Sequence, residues 1–211
     1  MTLVREALAV AGAAFVPPRC AGCGAPGSWW CAECAGSCEP LDRTLGRLRV
    51  RAAGVHEGPL REAIHRFKYG AERGLARELG GLVAAVVARD LALGVRVDAV
   101  VPVPLHPERA RWRGYDQAML LAATTASAAD LPLLPALHRT LHTRPQVELD
   151  RAARAANLAA AFVAPPGALA GLRVAVVDDV TTTGATLRAA AGACRAAGAR
   201  DVRAYTVAID E

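Results

Sequence analysis

The residues best suited to chemistry lie near the C-terminus, where 174–186 reads VAVVDDVTTTGAT. Four apolar residues lead directly into Asp178 and Asp179, and threonines with one glycine follow. The β-branched residues indicate a strand buried on both faces of a parallel sheet. The apolar spacing after Gly184 indicates a helix that ends near Gly198. The two carboxylates are therefore expected at the carboxyl end of a strand, where open α/β sheets bind ligands.

The loop after the carboxylates has the composition of an anion site. Residues 181–186 offer hydroxyls and backbone N–H groups at a helix N-terminus, which suits phosphate. Asp178 and Asp179 would repel a phosphate unless they face hydroxyls or a divalent cation such as Mg²⁺. A ribose 5-phosphate has this combination of groups. The loop lacks the lysine of a P-loop, and the adjacent acids do not match an Asp-x-Asp motif. The alternative is a buried strand followed by a threonine-rich helix cap.

This stretch resembles the motif with which type I phosphoribosyltransferases bind 5-phosphoribosyl 1-pyrophosphate (PRPP). Three other segments resemble the ComF family of competence-related, phosphoribosyltransferase-like proteins: 65–70 (HRFKYG), 101–105 (VPVPL) and 113–117 (RGYDQ). The resemblance spans nearly the whole chain. It implies an α/β fold with a mostly parallel twisted sheet flanked by helices, and Mg²⁺-dependent transfer of ribose 5-phosphate from PRPP.

The resemblance also implies roles for individual residues. Asp178 and Asp179 would hold the ribose 2- and 3-hydroxyls, directly or through Mg²⁺. Lys68, Arg113 and the loop at 102–105 would face pyrophosphate, and with the two aspartates Lys68 and Arg113 are the candidate catalytic residues. The remaining predicted PRPP ligands are Val103 and Pro104 of that loop, Thr181, and the 5-phosphate cradle of Thr182, Thr183, Gly184, Ala185 and Thr186.

Several of these residues have a simpler interpretation. Lys68 is the only lysine, and a lysine at a helix C-terminus also complements the helix dipole. The arginines of 109–113 follow a Pro-x-Pro segment and suit phosphate oxygens, yet arginine runs are often solvated surface. Asp116 stands where the family usually has Asn. It caps a predicted helix over 115–129, and its charge either pairs with Arg113 or weakens substrate binding.

Four cysteines form two Cys-x-x-Cys pairs, Cys20 with Cys23 and Cys31 with Cys34. This spacing predicts a closed, structural zinc site; the alternative is a thiol-rich loop without metal. Cys38 is a spare that could replace Cys34. Trp29 and Trp30 lie between the pairs, where they either cover the metal site or stack on single-stranded bases.

Composition fits one globular domain with a small appendage. The chain has 211 residues, of which 53% are hydrophobic and 21% charged, and its net charge of +5 permits contact with a polyanion. We expect residues 1–45 to form an N-terminal helix (3–16) and a zinc-ribbon-like module, closed by a linker at 39–46. Residues 46–211 would form the phosphoribosyltransferase-like domain. The apolar run near the N-terminus is too short to span a membrane, so a cytoplasmic protein is expected.

Periodicity predicts the remaining elements. Strands are expected at 48–55, 97–101 and 201–209, and helices at 58–67 and 71–93. The polar stretch 138–162 contains Arg151 and Arg154 and resembles a family loop that in related transferases closes over PRPP. Residues 162–164 are expected to return to the main sheet.

Two classes of function remain open from the sequence. The first is an enzyme that transfers ribose 5-phosphate from PRPP to an unidentified acceptor, with a link to DNA uptake. The second is a non-catalytic competence adaptor that binds single-stranded DNA and DNA-uptake proteins, or a regulator that senses PRPP through the same pocket. No general base for an acceptor is apparent, and the oligomeric state is not encoded in any visible pattern.

Overall fold

The structure is a computed structural model that describes residues 17–70, 72–140 and 161–210. The predicted helix at 3–16 and most of the polar stretch 138–162, including Arg151 and Arg154, lie outside these residues. The described strands are β1 (Leu41–Leu45), β2 (Leu48–Val55), β3 (Ala99–Pro102), β4 (His138–Arg139), β5 (Phe162–Val163), β6 (Arg173–Thr181) and β7 (Asp201–Ile209). The described helices are α1 (Ala32–Gly36), α2 (Gly58–Tyr69), α3 (Leu75–Ala92), α4 (Pro107–Arg113), α5 (Gln117–Ala128) and α6 (Ala185–Ala196).

Five strands form one twisted sheet in the order β1-β2-β7-β6-β3. All neighbours pair in parallel except β1, which is antiparallel to β2. The inner strand β6, between β7 and β3, carries Val174, Val176 and Val177, all buried, because helices cover both faces of the sheet. The predicted α/β class with a mostly parallel sheet is confirmed.

The two faces of the sheet are covered by different numbers of the described helices. On one face α3 and α5 pack together, and their apolar residues share a core with α2 and with Ala175 and Val177 of β6. On the other face α6 packs on β6 and β7 and shares a second core with Val174 and Val176. Alternate residues of β6 therefore serve different cores, as the period of a strand requires.

Two predicted elements are wrong. The linker expected at 39–46 contains β1, an edge strand that forms a hairpin with β2. Exposed and half-buried residues alternate along it: Asp42 and Thr44 are exposed, while Leu41 and Leu45 pack on the second core. Residues 162–164 do not return to the main sheet, since β5 pairs with β4 in a separate two-stranded sheet.

The N-terminal cysteine segment packs directly on the α/β domain. Cys20, Trp30 and Cys34 belong to the same buried core as Ile64 and Phe67 of α2. The side chain of Trp29 packs against Gly74, just before α3. Among the described residues, no helix is both long and apolar enough to cross a membrane.

Candidate ligand pocket and metal site

A pocket of about 220 Å³ opens where the loops after β3 and β6 meet. The chain leaves β3 towards α5 on one face and leaves β6 towards α6 on the other, which creates a crevice at the carboxyl ends of adjacent parallel strands. The pocket is lined by Lys68, Val103, Pro104, Leu105, Arg109, Arg113, Asp116, Gln117, Ala118, Arg139, Asp178, Asp179, Val180 and Thr186.

On one side of this pocket lie the carboxylates of Asp178 and Asp179, together with the ammonium group of Lys68. The Nζ atom of Lys68 lies 3.0 Å from Oδ1 of Asp179, so the last turn of α2 reaches the end of β6. The backbone N–H of Asp179 donates to Oδ1 of Asp178 at 2.8 Å. Burial, and then the charge of Asp179, raise the pKa of Asp178 to about 8. The ionised form of Asp178 therefore needs a cation or hydroxyl donors from a ligand.

Donors without partners form the opposite side. Nε2 of Gln117, Nε of Arg113 and Nε of Arg139 are buried and have no hydrogen-bond partner within the part of the chain that the structure describes. Gln117 is 1% exposed, and its Oε1 accepts from Arg113 at 3.2 Å. Buried donors without partners are costly, and three in one pocket favour a ligand rich in acceptor oxygens.

Arg139 is brought to the pocket by the small sheet. Its guanidinium lies 5.3 Å from the ring centre of Phe162, its pairing partner in β5. Burial, and then the charge of Arg109, lower the pKa of Arg139. The clustered positive charges of Lys68, Arg109, Arg113 and Arg139 outnumber the acidic groups of the lining, which suits an anion.

The threonine loop adjoins this pocket at the start of α6. Its N-cap, Gly184, has a φ of 70° and offers no side-chain acceptor to the first-turn N–H groups. Thr186 lines the pocket, whereas Thr181 is buried at the end of β6. Thr182 and Thr183 are exposed. A phosphate at the helix N-terminus would meet backbone N–H groups there, of which that of Ala185 donates to Oγ1 of Thr183 at 3.4 Å.

Asp116 caps the helix that follows it, as the sequence predicts, and also binds the loop after β3, which the sequence did not reveal. Its Oδ1 accepts the N–H of Met119 at 3.1 Å as the N-cap of α5, and its Oδ2 accepts the N–H of Leu105 at 2.9 Å. The proposed pairing with Arg113 is not observed, since Arg113 instead donates to Gln117 and Tyr69. Asp116 therefore ties the loop after β3 to the start of α5.

The structure brings most of the sequence-predicted residues to one place. Lys68, Val103, Pro104, Arg113, Asp178, Asp179 and Thr186 all line the pocket. Gln117 and Arg139 were missed. Gln117 lies within the RGYDQ segment but reads as an ordinary first helical residue. Arg139 lies in a two-residue strand that gives no periodic signal.

The four predicted cysteine ligands also converge. The sulfur atoms of Cys20, Cys23, Cys31 and Cys34 all lie within 4.8 Å of one another and could hold a metal ion. Burial opposes ionisation of Cys20, but N–H groups of Cys23, Cys31 and Gly22 outweigh it and lower the pKa of that thiol to about 6. Cys38 lies outside the cluster.

The two tryptophans of this segment differ in exposure. Trp30 is 6% exposed and belongs to the core, so its ring is not available for stacking on bases. Trp29 is partly buried and packs against the same core. Trp30 packs beside Gly22, between the first two cysteines, which is compatible with the metal-covering interpretation, whereas Trp29 packs against Gly74.

Comparison with known proteins identifies the family. The chain is 31% identical over 197 residues to competence protein F of Haemophilus influenzae, and the match covers 90% of this chain and 84% of that protein. The chain belongs to the ComF family. The resemblance noted in the sequence is thus confirmed. No family model matches the chain.

Two solved structures resemble part of this ComF-family protein. One is glutamine phosphoribosylpyrophosphate amidotransferase from B. subtilis complexed with ADP and GMP, with 24% identity over 64% of this chain and a TM-score of 0.47. The other is described as the allosteric regulatory enzyme of purine biosynthesis, with 23% identity over 63% of this chain and a TM-score of 0.43. The matches span 26% and 25% of those chains, about a quarter of each.

Proposed function

We propose that this protein binds PRPP in the pocket between β3 and β6 and transfers its ribose 5-phosphate to an acceptor, releasing pyrophosphate. The observation that carries the proposal is that one pocket holds two carboxylates and three buried donors that have no partner among the described residues, beside a helix N-terminus whose N-cap is a glycine. Carboxylates suit ribose hydroxyls, and the donors suit phosphate oxygens.

Each side of the pocket takes one part of the substrate. The N-terminus of α6 binds the 5-phosphate, and Asp178 and Asp179 accept hydrogen bonds from the ribose hydroxyls. Gln117, Arg113 and Arg139 donate to pyrophosphate. As the bond to pyrophosphate breaks, negative charge grows on the leaving group, and these fixed donors stabilise it without reorganisation. Lys68 holds Asp179 in place by their ion pair.

Mg²⁺ fits the donor set of this pocket. The carboxylate oxygens of Asp178 and Asp179 are the ligands that this cation prefers, together with substrate oxygens. When bound, Mg²⁺ would neutralise charge on the substrate phosphates. The raised pKa of Asp178 supports this fit, because a nearby cation offsets the cost of its buried charge.

Calorimetric titration with PRPP and Mg²⁺ tests the proposal. Wild type should bind, and the double variant Asp178→Asn/Asp179→Asn should lose about tenfold or more of the affinity, since several hydrogen bonds to charged acceptors disappear. Asp130→Asn, an exposed change at the end of α5, is the matched control. Equal affinity in wild type and double variant would place PRPP elsewhere. Binding without pyrophosphate release in the presence of candidate acceptors would indicate a PRPP sensor.

The four-cysteine cluster is proposed as a structural zinc site. Four thiolates complete a tetrahedral shell and leave no open position for chemistry. Metal analysis of the purified protein should give one zinc per chain. The variant Cys31→Ser/Cys34→Ser should lose that zinc, whereas Cys38→Ser should retain it because Cys38 lies outside the cluster.

A role in competence is the second proposal. It is favoured by the match to competence protein F, and it would involve single-stranded DNA or DNA-uptake proteins as partners. Binding of a single-stranded oligonucleotide that weakens steeply with salt would support it. This role is compatible with PRPP binding, because the pocket lies only at the carboxyl ends of β3 and β6 and leaves the rest of the surface for other partners.

A further inference from the structure

The end of α2 carries the ammonium group of the pocket. Nζ of Lys68 lies 3.0 Å from Oδ1 of Asp179, and Lys68 is the only lysine in the chain. A lysine side chain is long and flexible, so its ammonium group is well placed only where the backbone that carries it is fixed. The last carbonyl groups of a helix have no partner within the helix. The end of α2 is therefore the part of this helix that gains most from a donor elsewhere in the chain.

The hydroxyl of Tyr115 is such a donor. It donates to the carbonyl oxygen of Phe67, which lies in the last turn of α2. That carbonyl belongs to the peptide group that joins Phe67 to Lys68. Because a peptide group is planar, a bond to its oxygen fixes the backbone immediately before the Cα atom of Lys68.

Two neighbours hold the ring of Tyr115 in this position. Its centre lies 5.6 Å from the ring centre of Phe67 and 5.1 Å from the guanidinium group of Arg73. Nη2 of Arg73 also donates to the carbonyl of Gly114 at 2.6 Å. Burial raises the pKa of the Tyr115 hydroxyl, which therefore keeps its proton and remains a donor. A phenylalanine ring would fill the same space, but it could not donate to Phe67.

Tyr115 lies in the segment that supplies the opposite side of the pocket. Arg113 and Gln117, two residues before and two residues after it, have buried nitrogen atoms without partners among the described residues. Arg113 also donates to the hydroxyl of Tyr69 at 3.4 Å, but that contact reaches a side chain of α2 and leaves its backbone free. The Tyr115 hydroxyl therefore joins the segment assigned to pyrophosphate to the backbone that carries Lys68.

We propose that Tyr115 is a positioning residue, whose hydroxyl holds Lys68 against Asp179 and so keeps the aspartate side of the pocket in place relative to the pyrophosphate donors. This inference rests on the proposed function. Tyr115 is not among the described residues that line the pocket. Its effect on a ligand would therefore pass through Lys68 and not through a contact of its own.

The reactivity of Lys68 tests this role without any ligand. Because the chain has one lysine, acylation by an N-hydroxysuccinimide ester, followed by mass spectrometry of the peptide that contains Lys68, reports on this side chain alone. In Tyr115→Phe the ammonium group should leave Asp179 more often, and Lys68 should be acylated about threefold faster or more. The reaction would be followed in wild type, Tyr115→Phe and a control variant.

Tyr205→Phe is the matched control. It removes a buried hydroxyl that donates to Oδ2 of Asp90 at 2.7 Å, and neither of these residues lines the pocket. Urea unfolding should show that Tyr205→Phe is less stable than wild type, because a buried hydrogen bond is lost. Lys68 should nevertheless be acylated at the wild-type rate. The control therefore separates a general loss of stability from a specific effect on Lys68.

A double-mutant cycle tests the path from Tyr115 to the ligand. Calorimetric titration with PRPP and Mg²⁺ would be carried out on wild type, Tyr115→Phe, Lys68→Met and the double variant. Tyr115→Phe should weaken binding about threefold to tenfold, as expected for loss of one hydrogen bond. In the Lys68→Met background the same change should have little further effect, because residues that act through one another are not additive. Tyr205→Phe should bind PRPP as wild type does.

Three results would overturn the inference. Lys68 could be acylated equally fast in wild type and Tyr115→Phe. The two Tyr→Phe variants could accelerate acylation equally, which would leave only an effect of stability. The losses of PRPP affinity in Tyr115→Phe and Lys68→Met could add, which would show that the hydroxyl does not act through Lys68.

Acylation also separates this test from that of the proposed function. If wild type does not bind PRPP while Tyr115→Phe is acylated faster, only the proposed function is rejected. If wild type binds PRPP while acylation is the same in both proteins, only the positioning role of Tyr115 is rejected.

Discussion

At the scale of single residues, the raised pKa of Asp178 predicts how the stability of the protein changes with pH. The ordinary pKa of an aspartate is about 4, and burial raises that of Asp178 to about 8. Between these values the folded state binds a proton that the unfolded state does not. Stability gained from this group is therefore complete below about pH 4 and is lost as the pH rises through 8.

Replacing Asp178 by Asn should remove this pH dependence. Without ligand or added Mg²⁺, we expect the free energy of unfolding of Asp178→Asn to exceed that of wild type at pH 8 by at least about 1 kcal/mol. The difference should shrink towards pH 4. Urea unfolding at a series of pH values measures it, with Asp130→Asn as the control that should follow wild type. Parallel pH profiles for wild type and Asp178→Asn would show that the charge of Asp178 is not penalised by folding.

Asp116 gives a second prediction at this scale. Each of its carboxylate oxygens accepts one backbone N–H, from Met119 and Leu105. An Asn side chain has only one acceptor oxygen, so Asp116→Asn must leave one of these N–H groups without its partner. We expect a loss of about 0.5–2 kcal/mol in the free energy of unfolding. Thermal and urea unfolding would measure it, and a variant as stable as wild type would show that water replaces the lost acceptor.

At the scale of elements, β1 supports the threonine loop. Nη1 of Arg43 donates to the carbonyl of Thr182 at 2.9 Å and to that of Asp210 at 3.3 Å. A side chain on Gly184 would overlap Leu45 of the same strand. Because Gly184 also has a positive φ, the loop is held closely by β1 in a conformation that glycine favours.

Arg43→Ala should therefore weaken the binding of phosphate by the threonine loop. The effect is indirect, because Arg43 acts on the loop through the carbonyl of Thr182. The loop loses its tether and must be ordered by the ligand, so we expect PRPP affinity to fall about threefold to tenfold. Calorimetry would measure this, with Arg47→Ala in the exposed hairpin turn as control. Hydrogen exchange of 182–184 should increase in Arg43→Ala alone. Unchanged exchange there would contradict a positioning role even if affinity fell.

The sequence predicted elements with strong periodicity and missed those fixed by tertiary contacts. The strand with Asp178 and the helix after Gly184 were both predicted, because buried valines and helical spacing are local signals. The strand β1 was predicted as a linker, because an edge strand with one solvent-facing side carries charged residues. Arg139 was missed because no local signal marks it. Its position in the pocket depends on the pairing of β4 with β5, two strands that are separated in sequence by residues 140–161.

At the scale of the whole molecule, the cysteine module supports the pocket through α2. The buried side chains of Cys20 and Cys34 share a core with Ile64 and Phe67, on the helix whose last turn carries Lys68. The carbonyl of Cys20 also accepts from Arg66 at 3.5 Å. A metal ion that orders the cysteines therefore stabilises the helix that carries Lys68 to Asp179.

Loss of a metal ion from the proposed zinc site should accordingly affect a pocket that contains none of the four cysteines. In Cys31→Ser/Cys34→Ser we expect the melting temperature to fall by several degrees, since metal binding contributes directly to folding. Hydrogen exchange should increase along α2 and less along α6, which packs on the opposite face of the sheet. The affinity for PRPP should fall in the same variant, because Lys68 no longer holds Asp179.

Cys38→Ser, with its thiol outside the cluster, should show none of these changes. If α2 and α6 lost protection equally, the module would act only through global stability; if neither did, it would be an independent unit without influence on the pocket.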